Sequence, residues 1–305
     1  MNLYKKFLIQ TYNVGIIRKN IGDVLKEGIK KDDITWLRHS FKDRFFADPF
    51  LIKEDTVFYY ILVEEFIFWE EKGKITLLKV RKTDFTLIEK KIVIEESTHL
   101  SFPFCELNGN TIIPESVLSG KTKEYSIDLD TMSVKSSEVI LDEGLVDAVF
   151  YKDKKGNKWI LTTKTNNPKE DLYIYLWNED RYMPVSDGNV VKHSIEEARS
   201  AGRVFEFDGN TYRPVQDSTG RYGKQTRIMK IGSLDKEGYE ANSVQVISGK
   251  DNKPYNETLH TFNVYEDCII VDGSKDYFRF PMKILYKKFK WLFKKEQVYE
   301  NSIKD

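Results

Sequence analysis

Two runs decide the fold: FADPFLI at 46–52 and VFYYILVEE at 57–65. Both are rich in aromatic and aliphatic β-formers and are separated by a short polar gap, the pattern of two adjacent strands. A polar residue, Asp48, opens the first run, and carboxylates close the second. The unit returns as HLSFPFCEL (99–107) with NTIIPES (110–116), then as LVDAVFY (145–151) with KWILTTK (158–164). It returns again as ARSAGRVFEF (198–207) with TYRPVQD (211–217), and last as LHTFNVY (259–265) with CIIVDG (268–273). The opening polar residues are Asp48, His99, Asp147, Arg199 and His260, at spacings of 51, 48, 52 and 61. Glycine turns such as Lys72-Gly73-Lys74, Asn108-Gly109-Asn110, Lys155-Gly156-Asn157 and Asp208-Gly209-Asn210 punctuate the runs.

A period near 50 with several strands per unit is what a propeller blade requires. The reading is an all-β chain: a five-bladed β-propeller over 45–274, with an amphipathic helix near the C-terminus. Residues 1–44 are expected to pack on the ring or close it, and 275–305 form a basic tail. The competing reading is an irregular β-sandwich with fortuitous spacing. In a propeller the opening positions converge at one mouth of the central channel, although they span more than 200 residues of chain.

Composition narrows the field. The 305 residues include 19 Phe, 17 Tyr and 5 Trp, ample material for a core, so disorder is excluded. Two cysteines, Cys105 and Cys268, exclude a disulfide framework and are expected as reduced core thiols. With 48 basic and 48 acidic residues, nothing favours nucleic acid as a partner. No apolar run is long enough to span a bilayer, and Gln10, Thr11 and Asn13 interrupt any export-signal core. The expected compartment is the cytoplasm. No His-x-x-x-His, Cys-x-x-Cys, phosphate loop or dinucleotide fingerprint occurs, so neither a metal nor a cofactor is expected.

The series FADPF, HLSFPF, PES, VDAVF, EARSAGR, YRPVQD, YG and HT followed by VDG resembles one family. It is similar to the N-terminal domain of glucosamine inositolphosphorylceramide transferases and their stand-alone bacterial relatives. That family is related to five-bladed glycoside hydrolases such as arabinanases and invertases. The resemblance covers about 45 to 273. It implies the propeller and a carbohydrate-related role.

Glycosidic chemistry generally uses two carboxyl groups, one to protonate the leaving oxygen and one as nucleophile or base. Asp48 stands where propeller glycosidases place the base or nucleophile, and the following Pro49 favours an extended conformation there. Glu115 ends an apolar strand and is the expected acid, since burial raises a carboxyl pKa. Asp147 is expected to orient substrate or tune Glu115, and His99 to act in acid–base chemistry or pin two blades together. Glu64, Arg199, Arg203, Arg213, Gln216, Tyr222 and His260 complete the expected substrate contacts. Arginine forks suit phosphate or carboxylate, so the sugar or glycan substrate is expected to bear such a group. The alternative is that these arginines pair with the channel acids.

The charge is unevenly spread. From Lys275 onward there are nine basic and four acidic residues. The segment PMKILYKKFKWLFKK (281–295) puts Met282, Leu285, Tyr286, Phe289, Leu292 and Phe293 on one helical face, with six lysines elsewhere. Ile284 and Trp291 fall on the lysine side. Such a helix suits an anionic membrane surface, or else docks on the propeller flank. The expected function is therefore a carbohydrate-active enzyme of surface-glycan or glycolipid assembly, a glycosyltransferase-type protein peripheral on the inner membrane face. The alternatives are a glycoside hydrolase using Asp48 and Glu115, and a non-catalytic glycan-binding propeller.

Overall fold

The computed structural model describes residues 8–278. A compact body spans Tyr12–Lys275; a second unit comprises Met1–Thr11 and Asp276–Asp305, of which only the strand residues 8–11 and 276–278 are described. The helix expected at 281–295 lies outside the described residues.

The described residues form five antiparallel sheets, one per blade. From the channel outward, blade 1 is Arg44–Glu54, Phe58–Ile67, Lys72–Arg81 and Thr86–Ile94. Blade 2 is Ser101–Phe104, Thr111–Glu115, Thr122–Asp128 and Ser133–Leu141. Blade 3 is Val146–Lys152, Lys158–Thr163, Asp171–Asn178 and Arg181–Pro184, with Lys192–His193 also pairing to its third strand. Blade 4 is Phe205–Phe207, Asn210–Asp217, Gln225–Leu234 and Tyr239–Ile247. Blade 5 takes Phe262–Val264 and Ile269–Phe278 from the end of the fold. Its two outer strands, Leu8–Ile17 and Ile34–Trp36, come from the beginning. Between those two runs a short helix, Ile21–Glu27, whose start is capped by the Asn20 side chain accepting from Gly22 N at 2.7 Å.

Blades stack face to face, so their inner strands are buried on both sides and read as continuous apolar runs. Phe46 through Ile52 are all buried. The outermost strand of blade 2 is exposed over its first seven residues and has no apolar alternation. The core divides into five apolar clusters, one at each seam. Phe50, Leu77, Phe102 and Ile112 fill the seam between blades 1 and 2. Leu145, Ile160 and Tyr173 lie at the next. Trp159, Ile174 and Leu234 follow, then Phe205, Ile228 and Val271. Val14, Phe46, Ile61 and Ile270 join blade 5 to blade 1. Cys105 and Cys268 are buried free thiols in two different clusters.

Three inner strands carry a bulge at the mouth. Register shifts fall between Ala47 and Phe50, between Ser101 and Phe104, and between Val146 and Val149. In each bulge one residue is left-handed: Asp48 at φ 50°, Phe102 at φ 41° and Asp147 at φ 45°. A bulge adds local twist and re-aims its side chain, and Asp tolerates this conformation better than most residues. The register corrects the repeat in blade 2, where Phe102, not His99, is the counterpart of Asp48. His99 precedes the inner strand and pins the first seam, accepting from Gly73 N at 2.9 Å while Leu100 N donates to Gly73 O at 3.1 Å. A Cβ on Gly73 would sit 2.4 Å from Leu100 O, which is why this approach requires glycine.

Polar ties also close the ring. Asn263, fully buried, donates Nδ2 to Pro49 O at 2.9 Å in blade 1. Its Oδ1 accepts from Arg203 N at 2.7 Å ahead of blade 4. Leu51 N donates to Tyr265 Oη at 2.8 Å. Asn263→Ala orphans a buried carbonyl and a largely enclosed N–H together, so chemical denaturation is expected to show a loss of about 3 kcal/mol. A loss below about 0.5 kcal/mol would show that this tie is not what holds blades 4, 5 and 1 in register.

Candidate active site

The second strands end at the same mouth. Glu64 pairs with Ala47, Glu115 with Ser101 and Thr163 with Val146. In blade 5, Asp272 N donates to Thr261 O at 3.4 Å, placing Asp272 at the corresponding slot. Carboxyl groups from blades 1, 2, 3 and 5 are thereby gathered around one opening.

Asp147 and Glu115 meet through the blade 3 bulge, where Asp147 N donates to Glu115 Oε2 at 3.0 Å. Asp147 Oδ2 accepts from Arg199 Nε at 2.6 Å and Gln216 Nε2 at 2.8 Å. Gln216 Nε2 also donates to Ser200 O at 2.9 Å. The Arg199 guanidinium lies over the Tyr222 ring at 5.1 Å, a cation–π contact. Burial pushes the Glu115 carboxyl well above the usual range; the Asp147 charge adds to this and Arg199 opposes it. Glu115 is thus biased toward its protonated form relative to an ordinary glutamate.

Asp48 sits in a different environment. Its N–H donates to Asp272 Oδ2 at 3.0 Å. Its Oδ2 accepts from Phe102 N at 3.2 Å, its Oδ1 from Thr261 Oγ1 at 3.1 Å, and His260 Nε2 lies 3.4 Å from Oδ1. Burial raises its pKa, His260 opposes, and Asp147 and Asp272 add, leaving it at about 6. Glu64 is buried against the same acids and is pushed well above the usual range by burial, then by Asp48 and Glu115. Its Oε1 stands 3.3 Å from His99 Nε2. His99 accepts at Nδ1, so its neutral form carries the proton on Nε2, toward Glu64. Burial lowers the His99 pKa.

His260 is the innermost cation. Its Nδ1 lies 2.7 Å from Asp272 Oδ1, Tyr12 packs at 4.8 Å and Tyr222 meets it edge-on at 5.7 Å. Burial alone would lower its pKa; Asp272 and then Asp48 outweigh that and lift it to about 9. Asp48, His260 and Asp272 bring one ligating atom each within 4.8 Å of one another. Their lone pairs are already engaged by main-chain N–H groups and by the imidazole, whose positive charge stands where a cation would.

The mouth thus brings together Asp48, Glu64, Glu115, Asp147, Arg199, Gln216, Tyr222 and His260, with His99 at its edge. Arg203 and Arg213 are not among them. Arg203 pairs with Glu106, beyond the far end of the blade 2 inner strand, and lies 5.4 Å from the Tyr265 ring. Arg213 is fully enclosed and donates to Glu197 O, Ala198 O and Ser200 Oγ, so it braces main chain. Glu65 is also structural, paired with Arg44 at 2.6 Å and Lys90 at 2.8 Å. Sequence reasoning overlooks Asp272, Thr261 and Tyr12. Asp272 carries the signal that selected Glu64 and Glu115, an acid closing a second strand.

The His260 charge makes stability depend on pH. Its folded pKa lies above its unfolded value near 6.5, so its contribution is complete below that and is lost as pH rises through 9. Asp48, whose raised pKa opposes folding as it ionises, has its midpoint near 6 and adds little slope above about pH 7, while Glu64 and Glu115, also raised, act in the same direction as they ionise. Unfolding free energy should therefore fall by on the order of 3 kcal/mol between pH 7 and 10. Denaturation curves that stay level across that window would refute the buried imidazolium.

Comparisons with known proteins agree with this fold. The family described as glucosamine inositolphosphorylceramide transferase 1, N-terminal, matches residues 34–263. Glucosamine inositolphosphorylceramide transferase 1 of Arabidopsis thaliana is 33% identical over 215 residues, covering 64% of this chain and 26% of that protein. Its namesake in Oryza sativa subsp. indica is 28% identical over 222 residues, covering 66% and 28%. The chain thus spans about a quarter of the curated relatives it matches. Among solved structures, the GH43 β-xylosidase/α-arabinofuranosidase CoXyl43 from a compost metagenome superposes with a TM-score of 0.50 at 12% identity. That match covers 78% of this chain and 92% of the other, a likeness of fold. By its match over 34–263, the chain belongs to the glucosamine inositolphosphorylceramide transferase 1 N-terminal family.

Proposed function

We propose that the channel mouth is a carbohydrate-active site that transfers a glycosyl group to a hydroxyl acceptor in surface-glycan or glycolipid assembly. The observation that carries this reading is the convergence of Asp48, Glu115 and Asp147 from three blades, with Asp48 held near 6 and Glu115 pushed well above the usual range. Carboxyls driven apart in pKa are what paired acid and base roles require. Asp48, with a pKa of about 6, is largely ionised at neutral pH and suits base or nucleophile. Glu115, biased toward its neutral form by burial, suits the acid at the leaving oxygen. Asp147, anchored by Arg199 and Gln216, orients Glu115 through its own N–H.

The names of the plant relatives join glucosamine to inositolphosphorylceramide. They support a sugar as one substrate and a lipid-borne hydroxyl as the other. Of the three arginines expected to meet an anionic group, only Arg199 stands at the mouth, and it already faces Asp147. One phosphate or carboxylate on the substrate is therefore as much as the site accommodates. Hydrolysis needs only water in place of the acceptor and uses the same pair.

Activated aryl glycosides, offered with and without an alcohol acceptor, test this. Asp48→Asn and Glu115→Gln should each lower turnover by about 10²–10⁴-fold. Product partitioning toward the alcohol separates transfer from hydrolysis. Saturable sugar binding with no turnover on a broad panel would instead identify a non-catalytic propeller.

We further infer a cytoplasmic, peripheral membrane location, supported by the basic segment 281–295. Among the described residues no helix is long and apolar enough to cross a membrane. Each lysine near an anionic leaflet contributes about 1 kcal/mol. Converting Lys283, Lys287, Lys288, Lys290, Lys294 and Lys295 to Gln in the full chain should abolish flotation with phosphatidylserine vesicles. Equal flotation of both proteins would remove this inference.

A further inference from the structure

We propose that Asp272 is a positioning residue for Asp48, acting both on the Asp48 main chain and through His260. This deepens the reading of Asp48 as the ionised carboxylate of the site, and its importance rests on that reading.

Asp272 lies on the second strand of blade 5 and has no exposed surface, so it touches no substrate. Its Oδ2 accepts from Asp48 N at 3.0 Å and faces Thr261 Oγ1 at 3.3 Å. Its Oδ1 accepts from Thr261 N at 3.0 Å and His260 N at 3.3 Å, and lies 2.7 Å from His260 Nδ1. Two consequences follow. Holding the Asp48 N–H fixes the left-handed bulge, and with it the direction of the Asp48 carboxyl. A carboxylate only accepts, so the imidazole must carry a proton on Nδ1, and the ring is held with Nε2 facing Asp48.

The contrast with blade 3 shows why this matters. Asp147 has a guanidinium at 2.6 Å. Among the described groups that act on Asp48, His260 is the cation; Asp147 and Asp272 push its carboxyl toward the neutral form. The other groups around the imidazole are Tyr12, Tyr222 and, more distantly, Asp147. Arg199 lies against Tyr222 rather than against Asp48. Thr261 links the two acids, since its hydroxyl is 3.1 Å from Asp48 Oδ1 and 3.3 Å from Asp272 Oδ2, yet one O–H proton serves one acceptor at a time.

Nuclear magnetic resonance reads this directly. The chain has four histidines, so 15N ring signals of His39, His99, His193 and His260 are separable, and 13C carboxyl shifts report Asp48. In the wild type His260 should remain doubly protonated through pH 8. In Asp272→Asn its midpoint should fall by about one pH unit or more. In His260→Gln, which removes the cation and leaves Asp272 in place, the Asp48 midpoint should rise. A purely structural role would lower stability and leave the Asp48 titration in place. The proposal is overturned if wild-type His260 titrates near 6.5, if its midpoint stays fixed in Asp272→Asn, or if the Asp48 midpoint stays fixed in His260→Gln. Turnover does not enter these readings. An inert protein with the expected titrations would defeat the sugar-chemistry reading and leave the positioning role standing.

Discussion

A carboxylate taken wholly out of water is tolerated only when its lone pairs are met by donors. The Asp272 carboxylate meets that condition with donors drawn from two blades: Asp48 N from the first, and Thr261 N and His260 N from the last. Those groups lie more than 200 residues apart in the chain and meet only in the closed ring. Ring closure and assembly of the charged mouth are therefore the same event. A chain with the seam open would leave Asp272 without the Asp48 N–H, and His260 without the Asp48 carboxylate.

The same economy of donors separates the acids chemically. Asp147 is satisfied by a guanidinium and an amide, Asp48 by an N–H, a hydroxyl and an imidazolium, while burial biases Glu64 and Glu115 toward their neutral forms. Five carboxyl groups surround two cations, Arg199 and His260. Repulsion among the remainder is relieved by proton uptake, which is how a crowded acidic mouth comes to contain both proton donors and acceptors at one pH. The aromatic faces of Tyr12 and Tyr222 exclude water from the imidazole and sharpen these differences.

The repeat was legible because inner and second strands are buried on both faces and so read as dense apolar runs. Asp48, Glu115 and Asp147 stood out as polar breaks in such runs. What stayed hidden was backbone conformation. Phe102-Pro103 and Asp48-Pro49 adopt the same left-handed bulge, but nothing in a phenylalanine announces it, so His99 took its place in the repeat. Direction along a strand was equally obscure. Arg203 lies only four residues beyond Arg199, yet that is about 13 Å of extended chain, enough to move from the mouth to the other end. Arg213 looked like a ligand contact because sequence does not distinguish a guanidinium facing a cleft from one bracing three main-chain and hydroxyl oxygens.

Blade 5 is assembled from both extremes of the fold, with Leu8–Ile17 lying beside Ile269–Phe278. On the ribosome, the strands synthesised first would be the last to find their partners. Until roughly 260 more residues emerge, Leu8–Ile17 and Ile34–Trp36 present unsatisfied edges, the kind of surface that pairs with other chains. Val14, Ile16 and Ile17, all fully buried in the finished ring, would be exposed through that interval. The closure that makes the mouth also sets a delay in biogenesis, and chaperone dependence is the natural cost of a ring fastened by its own beginning.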